Sequence, residues 1–331
     1  MTDQTRIPLP PSGPSLIERA SGSFDFRAIA RSPVPDLPPE PNVRPVSVER
    51  KAAAKAVHEP NGAQSASEAA VAAAAPVEAM PAPVPFSGPR HPIDREHLRE
   101  QCLIEPESAV TGLLEEFRIV KRQLLRTAVA SRAGHGPVHG ERILIASAHP
   151  GEGKTFCAVN LAISIAAEKD NEVLLVDADF AKPSVLSTLG LPGGKGLMDA
   201  LADPSLAVEE CVIGTDIAGL YVLPAGNATG SDTEFLASSR TEHVLARLTA
   251  HAPGRIVIFD SPPVLAASPA TVLANHVGQT VVIVRADMTG EAALRDAVGL
   301  LGACEDIKLL LNGTRFSTTG RRFGTYYGYK E

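Results

Sequence analysis

The chain has 331 residues, 44% of them hydrophobic, and a formal net charge of −7 at pH 7. This composition is typical of a globular protein with room for one or two domains, and the negative charge argues against a nucleic-acid-binding surface. The four cysteines are scattered without a CxxC pair, which favours a reducing compartment over a disulfide or zinc scaffold. No segment approaches the ~18 consecutive apolar residues of a membrane span, and the first residues lack the apolar core of a signal peptide. We therefore expect a cytoplasmic protein.

The N-terminal part of the chain has the composition of a disordered arm. Sixteen of the 28 prolines lie before residue 90, among alanine, serine and charged residues without a sustained hydrophobic period. Such a segment cannot bury enough apolar surface to offset its loss of conformational entropy. We predict an arm over residues 1–92, a folded domain over 93–315 and a flexible tail over 316–331. Apolar residues recur at helical spacing from Val110 to Leu125, which predicts an amphipathic helix before the first core strand.

A phosphate-binding loop is the strongest motif in the sequence. The apolar run 143–146 reads as a buried strand. His149-Pro150-Gly151-Glu152-Gly153 then breaks that strand, and helical apolar spacing follows from Lys154. In such a unit the loop N–H groups and the helix N-terminus bind phosphate. Lys154 reaches the outer phosphates and the Thr155 hydroxyl contacts Mg²⁺. The nucleotide-contacting residues that we expect from the motif are Gly151, Glu152, Gly153, Lys154, Thr155 and Phe156.

Three aspartates follow apolar strands and suggest a metal site. Asp177 and Asp179 follow the apolar run 173–176, and side chains two apart in a strand point to the same side. Asp260 follows the run 256–259 and precedes Ser261-Pro262-Pro263, as in a Walker B strand. Hard carboxylate oxygens suit Mg²⁺. We therefore predict that Thr155, Asp177, Asp179 and Asp260 surround the metal, and that the three aspartates act with Lys154 in catalysis.

The remaining pattern predicts the fold. Further strands are expected at 220–223, 279–284 and 308–311, with helices over 234–250 and 291–303. Nearly continuous apolar strands separated by helices are typical of a doubly wound α/β fold, in which a mostly parallel sheet is covered on both faces. In such a fold the ligand lies beyond the carboxyl ends of the strands.

Three of the four tyrosines lie in the last six residues: Tyr326, Tyr327 and Tyr329. Glycines and polar residues surround them, so a packed element is not expected there. Fully extended, the roughly 19 residues after Asn312 span on the order of 60 Å. The tail could therefore reach the nucleotide of a neighbouring subunit.

Together these segments resemble a known family. The chain is similar to the bacterial tyrosine kinases of exopolysaccharide synthesis. The similarity is carried by residues 147–155, 173–179 with Lys182-Pro183, 259–263 and the terminal tyrosines. Within that family the chain looks most like the separate cytoplasmic autokinases of exosortase-linked (PEP-CTERM) polysaccharide loci. The similarity covers about residues 107–331. It implies a P-loop NTPase fold related to the partitioning ATPases and an ATP- and Mg²⁺-dependent autokinase that phosphorylates Tyr326, Tyr327 and Tyr329.

The resemblance also implies roles for individual residues. One of Asp177 and Asp179, with Asp179 preferred, helps to take the proton from the attacking tyrosine, and Asn312 matches a position that often contacts the adenine. A Glu-x-x-Arg-x-x-Arg helix, which contacts the next subunit in a ring, reads Glu115, Arg118 and Lys121 here. Lys121 departs from the arginine of that motif. The sequence also departs from related patterns at Ala148, which replaces the first glycine of the loop motif, and at His149, where partitioning ATPases carry a signature lysine.

The resemblance finally implies partners. The chain would be recruited to the inner membrane by a membrane activator of the chain-length-determinant type, and a cognate phosphotyrosine phosphatase would reset its tail. No nucleic-acid partner is expected. Two other hypotheses stay open from the residues. One is an ATPase switch that binds DNA or membrane, like partitioning or division-site proteins. The other is a regulatory scaffold that binds nucleotide without turnover.

Overall fold

An eight-stranded sheet organises residues 83–314, the part of the chain that this computed structural model describes. The expected arm up to residue 82 and the tyrosine tail lie outside the described residues. The strands are β1 Arg90–His91, β2 Arg142–Ser147, β3 Glu172–Asp177, β4 Ile213–Thr215, β5 Leu220–Leu223, β6 Arg255–Asp260, β7 Gln279–Arg285 and β8 Ile307–Asn312. The helices are α1 Arg95–Glu100, α2 Gly112–Arg132, α3 Lys154–Ala166, α4 Val185–Leu189, α5 Leu197–Ala202, α6 Asp232–Leu236, α7 Ser239–Thr249, α8 Pro269–Leu273 and α9 Glu291–Leu300.

The sheet is mostly parallel, as the sequence predicted. Its strand order is β1-β4-β5-β3-β6-β2-β7-β8. The six strands from β5 to β8 in this order pair in parallel. At the other edge β4 runs antiparallel to β5, and β1 pairs in parallel with β4. The carboxyl ends of six strands therefore share one edge of the sheet, where a ligand site is expected.

Apolar side chains cover both faces of the sheet and form two cores. Along β2, Ile143 and Ile145 belong to one core and Leu144 and Ala146 to the other, because successive side chains of a strand point to opposite faces. Helices α1 to α4 pack on the first face and α5 to α9 on the second. The doubly wound arrangement predicted from the sequence is confirmed. Among the described helices, none is both long and apolar enough to cross a membrane.

The helices differ in detail from the sequence prediction. The amphipathic helix α2 begins after Thr111, whose hydroxyl accepts from the amide of Leu114 at 3.2 Å. The helix predicted over 234–250 is divided into α6 and α7 at Ala237 and Ser238. The hydroxyl of Ser238 donates to the carbonyl of Phe235 at 2.6 Å. Serine favours such local bonds over a continuous helix, which explains the break.

A segment ahead of α1, Phe86–His91, is bound to the sheet edge, and we call it the N-terminal strap. The ring of Phe86 meets that of Tyr221 edge-on with centroids 4.9 Å apart, and the Arg255 guanidinium lies 4.1 Å from the Phe86 centroid. The amide of Gly214 in β4 donates to the carbonyl of Pro89 at 2.8 Å. The fold therefore begins earlier than the expected boundary at residue 93.

We predict that Phe86→Ala releases the strap. The substitution removes an aromatic pair worth about 0.5–1.5 kcal/mol and a cation–π contact of about 0.5–2 kcal/mol. The free energy of unfolding should fall by roughly 1–3 kcal/mol in urea titrations, and the amide of Gly214 should exchange faster. Pro85→Ala, a change at the exposed neighbouring position, is the matched control and should alter neither. Unchanged exchange at Gly214 in Phe86→Ala would show that the strap is held by other contacts.

Candidate functional site

The loop between β2 and α3 has the geometry of a phosphate-binding loop. Gly151 and Gly153 adopt φ values of 77° and 96°, a left-handed conformation that glycine tolerates best. Helix α3 begins immediately afterwards at Lys154, which is only 8% exposed. The strand, loop and helix thus stand in the order that the sequence predicted. The first turn of α3 presents free N–H groups and a partial positive charge at the loop, which suits an anion.

Side chains from β7 and β8 hold this loop from outside. Arg285 Nη1 donates to the carbonyl of Gly151 at 3.0 Å, and Asn312 Nδ2 donates to the carbonyl of Glu152 at 2.9 Å. The Glu152 carboxylate is buried; it accepts from the amide of His149 at 2.8 Å and from the Thr289 hydroxyl. Two residues expected to contact nucleotide, Glu152 and Asn312, are therefore anchors of the loop. Their direct contact with a nucleotide stays a prediction.

The carboxylates at the ends of β3 and β6 lie side by side. Asp177 and Asp260 are opposite each other in the register of the two strands. The Thr155 hydroxyl donates to Asp260 Oδ2 at 2.6 Å, whereas the buried Oδ1 atom has no hydrogen-bond partner. Burial raises the pKa of Asp260 to about 7, and the charge of Asp177 adds to this. Asp260 is thus an incompletely paired buried acid beside Thr155, the residue that follows the loop lysine.

Asp177 and Asp179 differ in what their oxygens do. Asp177 Oδ2 accepts from the amides of Ser184 and Val185, each at 2.9 Å, and Oδ1 accepts from the amide of Asp179 at 3.2 Å. Burial raises the pKa of Asp177 to about 6, although these amides oppose the shift. Asp179 is half-buried and accepts from the amide of Lys182 at 3.1 Å. Asp177 therefore fixes the loop that carries Asp179, and Asp179 keeps a more accessible carboxylate.

Lys154 lies among these acids. Burial lowers the pKa of Lys154, while Asp260, Asp179 and Glu152 oppose that shift by stabilising its charge. One lysine does not neutralise the carboxylates at the ends of β3 and β6, and buried unpaired charge is unfavourable. The unpartnered oxygen of Asp260 and the adjacent Thr155 hydroxyl therefore fit a hard divalent cation.

The donor set also distinguishes between metals. Within residues 83–314 no group of three or more His, Cys, Asp or Glu side chains has metal-binding geometry. A zinc-type cage is therefore not found in this part of the chain. Mg²⁺ usually takes one or two protein oxygens and fills its other positions with phosphate and water, which agrees with the Thr155 and Asp260 pair.

The remaining predicted residues, Phe156 and three residues of α2, make contacts away from this acidic cluster. The ring of Phe156 packs partly against the core on the α2 face, so its contact with nucleotide stays a prediction. On α2, Glu115 and Arg118 form an ion pair with each other. Lys121 is 5% exposed, and its Nζ donates to the carbonyl of Ser164 and contacts Glu168 Oε1, both at 2.7 Å. Lys121 thus joins α2 to α3 inside the subunit, and a subunit contact by this helix would depend on Glu115 and Arg118.

Three residues of the site were not singled out from the sequence. Ser184 Oγ lies 3.0 Å from Thr155 Oγ1, and Arg285 and Thr289 hold the loop as described. Arg285 directly follows the predicted strand 279–284, so its position at the binding edge could have been inferred. Thr289 lies in the connection to α9, and no pattern in the sequence marks it.

Comparisons with known proteins agree with this geometry. A family model described as an AAA domain matches residues 140–308. The tyrosine-protein kinase YwqD of Bacillus subtilis is 33% identical over 232 residues, which cover 70% of this chain and 91% of that protein. The tyrosine-protein kinase wzc of Salmonella typhimurium is 28% identical over 191 residues, but the match covers 57% of this chain and 26% of wzc.

A solved structure shows the same fold. The kinase domain of the Escherichia coli tyrosine kinase ETK matches with a TM-score of 0.55 and 23% identity, covering 71% of this chain and 92% of that one. The sheet, the loop and the strand-end acids define a nucleotide-binding domain of the P-loop ATPase type. Within that class, the chain belongs to the family of bacterial tyrosine-protein kinases. The enzyme class expected from the sequence, protein-tyrosine kinase, is that of the family.

We predict that Asp260→Asn separates stability from ligand response. The amide can still accept from Thr155, but a buried negative charge is removed, so the unliganded protein should be at least as stable as the unaltered one. Saturating Mg·ADP should stabilise the unaltered protein by about 2.7 kcal/mol at a hundredfold excess over Kd. In Asp260→Asn the magnesium-dependent part of this gain should disappear in thermal unfolding. Asp170→Asn, at an exposed position, is the control; an undiminished response in Asp260→Asn would exclude Asp260 from the metal site.

We also predict that two cations on α2 contribute unequally to stability. Lys121→Ala removes a buried ammonium that holds the end of α3, and should lower the free energy of unfolding by roughly 1–3 kcal/mol. Arg118→Ala removes a surface ion pair, usually worth less than about 1 kcal/mol. Urea titration measures both effects. If Arg118→Ala were the more destabilising change, the assignment of Lys121 to the interior would be wrong.

Proposed function

We propose that this protein is an ATP- and Mg²⁺-dependent tyrosine autokinase that phosphorylates Tyr326, Tyr327 and Tyr329 of its own tail. One observation carries the proposal. Lys154 is buried at the start of the helix that follows the phosphate loop, Asp177 and Asp260 lie opposite each other at the ends of their strands, and the Asp260 carboxylate has an oxygen without a hydrogen-bond partner. A nucleoside triphosphate supplies the anionic groups that this crevice at the strand ends is built to receive.

The chain's own residues supply positioning and charge. The N–H groups of the loop and α3 bind the phosphates, and Lys154 neutralises charge on the γ-phosphoryl group during transfer. Thr155 and Asp260 would hold Mg²⁺, with Asp177 and Asp179 beside them. A bound ion would supply positive charge that offsets the negative charge developing on the phosphate oxygens. Arg285 and Asn312 keep the loop in place through the bonds already described.

The acceptor is the hydroxyl group of a tyrosine. Its oxygen forms a bond to the γ-phosphorus while the bond from that phosphorus to the β–γ bridging oxygen breaks, and ADP leaves. The phenolic proton passes to a carboxylate at the strand ends. Asp179 is the most accessible of these, because Asp177 is held by backbone amides and Asp260 is buried.

The last described strand ends on the same side of the sheet as the phosphate loop, which supports a role for the tail. β8 ends at Asn312, at the same edge as the phosphate loop. The roughly 19 residues that follow can span on the order of 60 Å when extended. Transfer between subunits of a homo-oligomer is therefore within reach, with Glu115 and Arg118 as the proposed contact in a ring.

Phosphorylation would regulate this assembly. Each phosphate adds roughly −1.5 to −2 charge, so a phosphorylated tail is repelled by the acidic crevice. Unmodified tails would favour association and phosphorylated tails separation. By its resemblance to the exopolysaccharide kinases, the protein would control polysaccharide polymerisation and export at the inner membrane, with a chain-length-determinant-type activator and a phosphatase as partners.

We predict that incubation with Mg·ATP phosphorylates the last three tyrosines of the full chain, as read by mass spectrometry. Lys154→Met should abolish the label because it removes the buried cation of the site. Lys169→Met, an exposed lysine just beyond the far end of α3, is the matched control and should label normally.

The other hypotheses give distinct results in the same experiment. Hydrolysis of ATP with an unlabelled tail, even with the cytoplasmic end of a candidate membrane activator supplied, would favour the ATPase switch. Nucleotide binding with neither hydrolysis nor label would favour a regulatory scaffold.

A further inference from the structure

A cavity adjoins the phosphate site on the β5 side. It has a volume of about 370 Å³ and lies between α4, the ends of β3 and β5, and the loop before α5. Its walls include Pro183, Leu186, Leu191, Pro224 and Ala225, and Asp177 lies at its inner end. Ligand pockets usually measure about 300–1,000 Å³. This one is therefore of a size for a single large side chain with its adjoining backbone.

Strand order places the cavity beyond the reacting phosphate. The loop follows β2, Asp260 ends β6, Asp177 ends β3, and the cavity begins between β3 and β5. Neighbouring strands are about 4.8 Å apart, so the cavity opens roughly 10 Å from the loop, across the carboxylates. Arg285 and Asn312 occupy the opposite side of the loop. In-line transfer needs the acceptor opposite the leaving ADP. An acceptor held in this cavity would approach the γ-phosphorus from the side of the carboxylates.

The chemistry of the walls suits a phenol. Proline, leucine and alanine side chains offer apolar surface to a ring, and Asp177 is the one carboxylate among the residues that line the cavity. Buried tyrosine combines these two requirements, since its body is apolar and its hydroxyl needs a partner. At the mouth, a Cβ atom added to Gly193 or Gly194 would meet nothing within 4 Å, which leaves room for a peptide backbone.

The two sides of the mouth are tied together by one carboxylate. Asp199 accepts from the amide of Gly196 at 2.9 Å, and from the backbone amide and side-chain amide of Asn227 at 3.2 and 2.8 Å. The loop before α5 is also pressed on the end of β5, because a Cβ on Gly196 would lie 2.1 Å from the carbonyl of Pro224. The opening is thus held by a network of bonds, and Asp199 is a positioning residue for it.

We propose that this cavity is the acceptor subsite, which takes the ring of a tyrosine from an extended peptide with small neighbouring residues. The proposal rests on the proposed kinase function. The tail sequence Gly324-Thr325-Tyr326-Tyr327-Gly328-Tyr329 has this character, because glycine lets the backbone approach the rim closely. The phenol oxygen then attacks the γ-phosphorus of the bound nucleoside triphosphate, ADP departs, and the proton goes to a strand-end carboxylate.

The test uses the full chain with the three tail tyrosines changed to phenylalanine, and a synthetic peptide of residues 319–331 as acceptor. Ala225→Leu adds bulk to the buried wall of the cavity, and should lower kcat/KM for the peptide at least about tenfold. Hydrolysis of Mg·ATP in the absence of peptide should be unchanged. Ala228→Leu, at an exposed position three residues further on, is the matched control and should leave kcat/KM for the peptide unchanged.

Asp199→Asn provides a second variant with a distinct readout. The isosteric amide cannot accept all the bonds from Gly196 and Asn227, so the rim loosens. We expect a higher KM for the peptide with kcat retained and with unchanged nucleotide hydrolysis. A purely structural role would instead lower kcat, hydrolysis and thermal stability together, and that result would overturn the positioning role.

Crosslinking to the protein without cavity substitutions gives a test that does not depend on how the variants fold. The peptide with azidophenylalanine in place of one tyrosine should crosslink, in the presence of Mg·ADP, to Leu186, Leu191 or Ala225. Crosslinks only to other surfaces, or a peptide processed normally by Ala225→Leu, would overturn the subsite while leaving the kinase function intact. Failure of the unaltered full chain to phosphorylate any tyrosine would instead count against the proposed function.

Discussion

Burial of negative charge at the carboxyl ends of β3 and β6 is the constraint that shapes this site. The parallel register sets Asp177 opposite Asp260, and two such carboxylates in an interior of low dielectric repel each other. Backbone amides donate to both oxygens of Asp177, whereas Asp260 keeps one oxygen without a partner. Lys154 supplies one positive charge nearby. The structure thus has a deficit of positive charge at the point where a triphosphate and its metal ion would arrive.

The phosphate loop is supported from two directions. Its own glycines permit the left-handed turns, and side chains from β7, β8 and the β7–α9 connection fix its carbonyls and its buried glutamate. A loop held in this way offers its N–H groups without reorganisation when phosphate binds, which is the structural meaning of preorganisation. The sheet therefore acts as the rigid frame, and its strand ends supply the chemistry.

Much of this arrangement could be predicted from the sequence. The strands around 143–146, 173–176 and 256–259 are continuously apolar, and continuous runs identify buried parallel strands. The glycine loop and the strand-end aspartates then locate the binding edge. Position along the chain gives no direct information on pairing across the sheet. Thus neither the bond from Asn312 to the loop nor the inward direction of Lys121 was visible from spacing alone.

The elements that the sequence did not reveal were missed for one physical reason, which is that contacts between distant parts of the chain define them. β1 and β4 are two and three residues long, too short for a period-2 pattern to be recognised. The strap is held by the edge-on contact of Phe86 with Tyr221 and by the Arg255 guanidinium over the Phe86 ring. These contacts join residues more than 130 positions apart in the sequence. Asp199 lies in the six-residue helix α5, which is too short for a recognisable hydrophobic period, and its importance depends on which loops fold beside it. Long-range packing decides such cases.

The bond from Asn312 to the carbonyl of Glu152 has a mechanical consequence. Asn312 is the last residue of β8, so the chain leaves the sheet at the very residue that supports the phosphate loop. Tension on the C-terminal segment would be transmitted through one side-chain amide to the backbone that cradles phosphate. A force applied to the tail would therefore act, through this one bond, on the loop that we propose binds the nucleotide.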